Sequence, residues 1–177
     1  MRNATELLSQ YAEYHRDRRN IATHLVGVPM IVFAVGVLLA RPAFELGGVS
    51  LSPAWLLFAV TGAWYLTRGD LIVGGAVTAV VGVLMVLAHG VADGSTARWL
   101  AWGLGSFVVG WVIQFVGHYY EGRKPAFVDD LAGLLIGPMF VVAEVVFALG
   151  LCRGLHAEIV RRAGPTLIRA RPQTHAG

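Results

Sequence analysis

Long apolar runs broken by short polar knots dominate this chain. Residues 21–40, 46–67, 71–92 and 99–120 contain no Asp, Glu, Lys or Arg, and 131–143 is equally free of charge before Glu144. A helix needs about 20 mainly apolar residues to cross the hydrocarbon core, and at least three of these runs reach that length. The pattern predicts an all-α fold, a polytopic membrane bundle of four or five hydrophobic helices at about 21–40, 54–67, 71–91, 99–120 and 131–151. The 54–67 stretch is only marginally long enough to cross. Arg41-Pro42, Gly47-Gly48 with Ser52-Pro53, Arg68-Gly69-Asp70 and Asp93-Gly94-Ser95 mark the turns.

The two ends read differently. Leu7, Leu8, Tyr11, Tyr14 and His15 recur at helical spacing, which predicts an amphipathic helix over residues 1–20 lying on the membrane surface. The last apolar stretch carries Gly137-Pro138 in its middle and Glu144 inside it. A straight crossing would bury Glu144 at a cost of about 2.5–3.5 kcal/mol and would move the Arg-rich tail to the other side. A bend or re-entrant turn at Gly137-Pro138 removes both problems and is expected. Residues 1–152 then form a single membrane domain, and 153–177 a basic tail that is disordered after Gly164.

Composition sharpens this picture. The chain is 56% hydrophobic and 14% charged, against about 25% charged in a soluble domain. The net charge of +3 would suit nucleic acid, but its placement argues for none. Arg2, Arg16, Arg18 and Arg19 precede the first span, and Arg153, Arg161, Arg162, Arg169 and Arg171 follow the last. This is the positive-inside pattern, so an integral, multi-pass protein with a cytoplasmic N-terminus is expected, in the inner membrane if the source is bacterial. The polar start shows no leader pattern, so no cleaved signal is expected. The single Cys152 excludes intramolecular disulfides and thiolate metal sites. No P-loop, nucleophile elbow or dinucleotide fingerprint occurs.

Candidate chemistry gathers at two span ends. His15, Asn20 and His24 sit where the first apolar run begins, and Gln114, Gly117, His118 and Glu121 close the 99–120 run. Gln114, His118 and Glu121 share one helical face. A neutral imidazole at such a place can ligate Fe, Zn or Cu while its second nitrogen is held by an acceptor. A single histidine there more often caps a helix or anchors at head groups. Two clusters plus Glu144 within a span favour a metal site, although intramembrane ionisable groups also mark proton or solute paths. His89, His156 and His175 read as interfacial or solvated. Asp129-Asp130 suits the start of the following helix, and Arg123-Lys124-Pro125 a turn that could receive a carboxylate.

In order along the chain stand Tyr11-x3-His15-x4-Asn20-x3-His24-x2-Gly27-x-Pro29, then Gln114-x2-Gly117-His118-x2-Glu121-x3-Pro125-Ala126, then Pro138-x-Phe140-x3-Glu144. This arrangement resembles the 2-hydroxy fatty acid dioxygenases of yeast phytosphingosine breakdown and their bacterial relatives, to about residue 152. The resemblance implies an Fe(2+)-dependent enzyme that uses dioxygen to shorten a 2-hydroxy fatty acid by one carbon, the step of fatty acid alpha-oxidation. A 2-hydroxy acid can fill two coordination positions and dioxygen a third, leaving three for the protein, as in facial non-haem sites. The candidate ligands are His15, His24 and His118, with Glu144 or Glu121 as an alternative or addition. Asn20, Gln114 and Glu121 would orient the imidazoles or the bound oxygen, and Arg16, Arg19 or Lys124 would steer the carboxylate. Partners would be the hydroxy acid, dioxygen and membrane lipid, with oligomerisation open. A transport protein with a polar path, or a zinc-dependent membrane hydrolase, are the competing expectations.

Overall fold

The computed structural model describes residues 2–128 and 130–169. Among them run seven helices: α1 (Ala4–Ala12), α2 (Arg18–Ala40), α3 (Pro53–Leu66), α4 (Leu71–Ala92), α5 (Thr96–Glu121), α6 (Gly133–Ala148) and α7 (Arg153–Ala163). A small hairpin, β1 (Phe44–Leu46) and β2 (Val49–Leu51), joins α2 to α3. Its two-residue turn is Gly47-Gly48, both at positive φ, as the twist of a tight hairpin requires. Helices α2, α4 and α5 are long and apolar enough to cross a membrane, and their outward faces expose Val83, Val86, Val108 and Val112. This is a helical membrane protein. The marginal 54–67 stretch is α3, whose 14 residues rise only about 21 Å.

Capping residues fix where the helices start. Asn3 and Glu6 form a reciprocal capping box on α1, and Asp17, Ser52, Asp70 and Ser95 cap α2, α3, α4 and α5. The cap at Asp17 corrects the expectation of one helix over 1–20. Helix α1 stops at Ala12, His15 lies in the connection, and α2 begins at Arg18. Nor does the apolar face of α1 rest on lipid: Leu7, Leu8 and Tyr11 are buried, and α1 packs against α6 and α7.

The final apolar stretch also differs from expectation. Helix α6 runs unbroken through Pro138, and the chain turns by 118° only between α6 and α7. Residues 136–143 are buried on all sides, and the Tyr65 hydroxyl donates to the Leu135 carbonyl at 3.0 Å. Neighbouring helices thus hold the proline-bearing segment straight. The turn falls instead at Gly150 and Cys152, both at positive φ. Beyond it α7 is amphipathic, with Ile159 inward and Arg161 and Arg162 paired to Glu158. Residues 164–169 are not loose: Leu167 pairs with the backbone of Arg16 and Arg18. The disorder expected further on, and Arg171 and His175, lie outside the described residues, as does Asp129.

Helices α2 and α5 make the closest pair in the bundle. Gly103, Gly110 and Gly117 recur every seven residues along α5. A Cβ on Gly27 would meet the Gly110 carbonyl at 2.9 Å, and one on Gly117 would collide with Thr23 Oγ1 and Asn20 Oδ1. Small residues let two backbones touch where lipid gives no hydrophobic drive to association. That seam carries His24 on α2 towards His118 on α5.

A candidate metal centre

His15, His24 and His118 converge at the end of the bundle where α2 begins and α5 finishes. Each offers a ring nitrogen, and the three atoms lie within 4.8 Å of one another. All three residues are buried. Among the described residues no other group of three His, Cys, Asp or Glu side chains is placed to hold a metal ion.

The rings are held from behind. His15 Nδ1 lies 2.7 Å from the Tyr11 carbonyl, and His24 Nδ1 lies 2.9 Å from the Asn20 carbonyl. A carbonyl can only accept, so both Nδ1 atoms carry the proton and both Nε2 atoms present a lone pair. Those two Nε2 atoms stand 3.0 Å apart. Tyr11 stacks on His15 at 4.1 Å, with Phe140 on the other ring contact at 5.4 Å. Burial, and next the nearby His24, hold the His15 imidazole well below its ordinary pKa and so neutral, the form that binds metals. His118 Nδ1 is buried with no hydrogen-bond partner. Gln114 Oε1 is likewise buried and unpartnered. A cavity of about 70 Å³ opens here, lined among others by Tyr11, His24, Gln114, His118 and Gly137.

The remaining predicted residues fall around the histidines. Glu121 is fully buried but turned to structural partners: it accepts from the Asp17 N–H at 2.8 Å and Asn20 Nδ2 at 3.1 Å, and pairs with Arg169 at 2.9 Å. Asn20 thereby ties α5 to the carbonyl that orients His24. Glu144 is half-buried on α6, where Arg16 and His156 are the charges it feels, and it does not join the three histidines. Arg16 is buried and donates to the Ala12, His15 and Gly164 carbonyls. Arg19 is bound to Asp17 at 2.7 Å and lies over the Tyr120 ring. Lys124 is exposed beside Pro125 and Ala126, which line the cavity.

Three contributors carried no assigned role in the sequence reading. Tyr11 belongs to the quoted motif, and its spacing four residues before His15 was the signal for its carbonyl contact. Asp17 had a local signal too, as a capping residue ahead of α2. Its carboxylate, held well below the usual range chiefly by the Arg19 hydrogen bond, also accepts from the Arg169 N–H at 2.8 Å. Arg169 had none, since its partners lie 48 and 152 residues away.

Residues 1–149 match the family described as 2-hydroxy-palmitic acid dioxygenase Mpo1-like. The chain belongs to the Mpo1-like family. It is 32% identical over 157 residues to 2-hydroxy-palmitic acid dioxygenase MPO1 of Saccharomyces cerevisiae, covering 86% of this chain and 84% of that protein. No solved structure matches it. The three histidines lie inside the matched region, whereas α7 and residues 164–169 lie beyond it.

Proposed function

We propose that this protein is an iron(II)-dependent dioxygenase that converts a 2-hydroxy fatty acid to the fatty acid one carbon shorter. One hydroxy acid and one dioxygen would give the shortened acid, carbon dioxide and water. The observation that carries the reading is the pair of Nε2 lone pairs of His15 and His24 facing each other at 3.0 Å. Two acceptors at that distance repel unless a cation lies between them. Buried His118, with a ring nitrogen within 4.8 Å of that pair, completes a neutral three-histidine set suited to a divalent first-row metal.

Iron is favoured over zinc by the company the site keeps. The relative in yeast is named as a 2-hydroxy-palmitic acid dioxygenase, which supports a hydroxy acid substrate here. Bound iron would supply coordination for the hydroxy acid and for dioxygen. The chain's own residues do the rest. Gln114 Oε1 lies in the cavity wall without a donor, and a 2-hydroxyl is a donor of the right kind. Asn20 holds His24, and Tyr11 shields His15 from water. Arg19 is bound to Asp17, and the exposed Lys124, beside Pro125 and Ala126 of the cavity lining, would draw in the carboxylate. With the N-terminus cytoplasmic, in the inner membrane of a bacterial source, this end of the bundle faces the cytoplasm. A transport path would instead place its polar groups near the midplane.

The test is metal content of detergent-purified protein by elemental mass spectrometry, with a His118→Ala variant and oxygen uptake on 2-hydroxypalmitate. Near-stoichiometric iron in the parent, lost in the variant, with oxygen consumed and pentadecanoate formed, is the expected result. Zinc with no oxygen uptake would transfer the site to hydrolysis, and no metal after anaerobic Fe(II) loading would overturn the reading.

A further inference from the structure

A second, larger space adjoins the metal centre. It is an apolar groove of about 420 Å³ bounded by α2, α3, α4, α5 and α6. Ile31, Val32, Trp111, Leu134 and Pro138 line both this groove and the cavity beside His24 and His118, so the two spaces abut along these side chains. We propose that this groove holds the single acyl chain of the substrate, and that its far wall, formed by Phe58, Met85 and Phe107, sets the longest chain accepted. The inference rests on the hydroxy acid dioxygenase reading and adds the position and length of the tail.

Polarity is graded along the path. At the metal end, Gln114 Oε1 and His118 Nδ1 are buried without partners. In the groove the only hydroxyls are those of Thr61 and Tyr65. Thr61 donates to the Leu57 carbonyl at 2.8 Å and Tyr65 to the Leu135 carbonyl at 3.0 Å. Nothing in the groove asks for a polar ligand, and the unpartnered atoms of residues that line the path, those of Gln114 and His118, belong to its other end. The occupant this fits is an amphiphile with its head at the histidines and an unbranched hydrocarbon tail.

The length also fits. His24 and Val35, at the two ends of the path on α2, are eleven residues apart, about 16 Å of helix. Half of a hydrocarbon core of roughly 30 Å is about the same distance, so the path accommodates a chain as long as one leaflet is deep. Leu57 and Leu134 on its rim are exposed, and α3 beside it is the short helix of the bundle. A fatty acid already lying in the membrane can enter sideways at its own depth.

Because lipid is as apolar as the groove, moving a tail from one to the other yields little hydrophobic gain. Selection among chains is therefore steric, and the wall residues decide it. Two measurements test this on the full-length, iron-loaded protein. The first is photocrosslinking with 2-hydroxypalmitate carrying a diazirine at its terminal carbon, mapped by peptide mass spectrometry. Adducts on Phe58, Met85 or Phe107 are expected; adducts on the outward Val60 or Val83 alone would overturn the proposal. The second is the ratio of kcat/KM for sixteen- and ten-carbon 2-hydroxy acids. Val35→Trp is expected to lower that ratio about tenfold or more with iron content retained, and Phe107→Ala to raise the longest chain turned over. Ratios unchanged in both variants, with turnover intact, would remove the groove from the reaction and leave the dioxygenase standing. A parent protein that holds iron but turns over no 2-hydroxy acid would take both readings down.

Discussion

Glu121 accepts the backbone N–H of Asp17 at 2.8 Å, joining the last turn of α5 to the cap of α2 across 104 residues of sequence. The same carboxylate receives Asn20 Nδ2, and the Asn20 carbonyl receives His24 Nδ1. A carboxylate outside the histidine cluster thus fixes the ring of one of its members. Glu121→Ala leaves buried donors unpaired, at about 1–3 kcal/mol. It is expected to lower the melting temperature in detergent and to weaken iron binding by about 10–100-fold, whereas Glu121→Gln, which keeps an acceptor, is expected to be milder on both. Melting curves and metal titration of the two variants decide it.

The placement of Glu144 gives a contrasting outcome. It lies on α6 under the influence of Arg16 and His156, apart from the histidines. Glu144→Gln is expected to retain iron at the parent level, while His15→Ala and His24→Ala each lose it. Elemental analysis showing iron lost in the Glu144 variant would restore that residue to the ligand set.

Close approach of α2 and α5 is testable at single glycines. Gly117→Ala drives a methyl into Thr23 and Asn20, an overpacking expected to cost about 1–3 kcal/mol and to displace His118. Gly105→Ala, where a Cβ meets nothing within 4 Å, is expected to leave both melting temperature and iron content unchanged.

The Asp17 carboxyl gives a pH dependence with a defined sign. The Arg19 hydrogen bond, first among its causes, lowers its folded pKa well below the unfolded value, which is about 3.9. The stabilisation it brings is complete above that unfolded value and fades as pH falls below about 4 towards the folded one. Asp17→Asn is therefore expected to be less stable at neutral pH and to show a shallower loss of stability between pH 5 and pH 3. Parallel acid limbs for parent and variant would reject the linkage.

The three histidines could be found in the sequence because imidazoles at the ends of charge-free runs are conspicuous, and because Asn20 with His24 and Gln114 with His118 repeat at one helical turn. The long helices were equally plain from the charge-free runs that became α2, α4 and α5. The bend was not. Proline is a local signal for a break, but Pro138 is held in α6 by packing on every side, and the actual turn depends on backbone at Gly150 and Cys152 that no motif announces. The course of α1 was hidden for the same reason: an amphipathic stripe fits lipid or protein equally well, and only its contacts with α6 and α7 decide between them. Arg169 owes its position wholly to distant partners.

His118 is the one ring of the three with no acceptor behind its Nδ1, while His15 and His24 are each latched to a carbonyl one turn away. Two of the candidate ligands are thus latched to the backbone, and the third is aligned by its packing against the other two rings. An ion held here would rest on two latched rings and one that packing alone aligns, so its retention would depend most on how α5 seats its C-terminal turn against the start of α2.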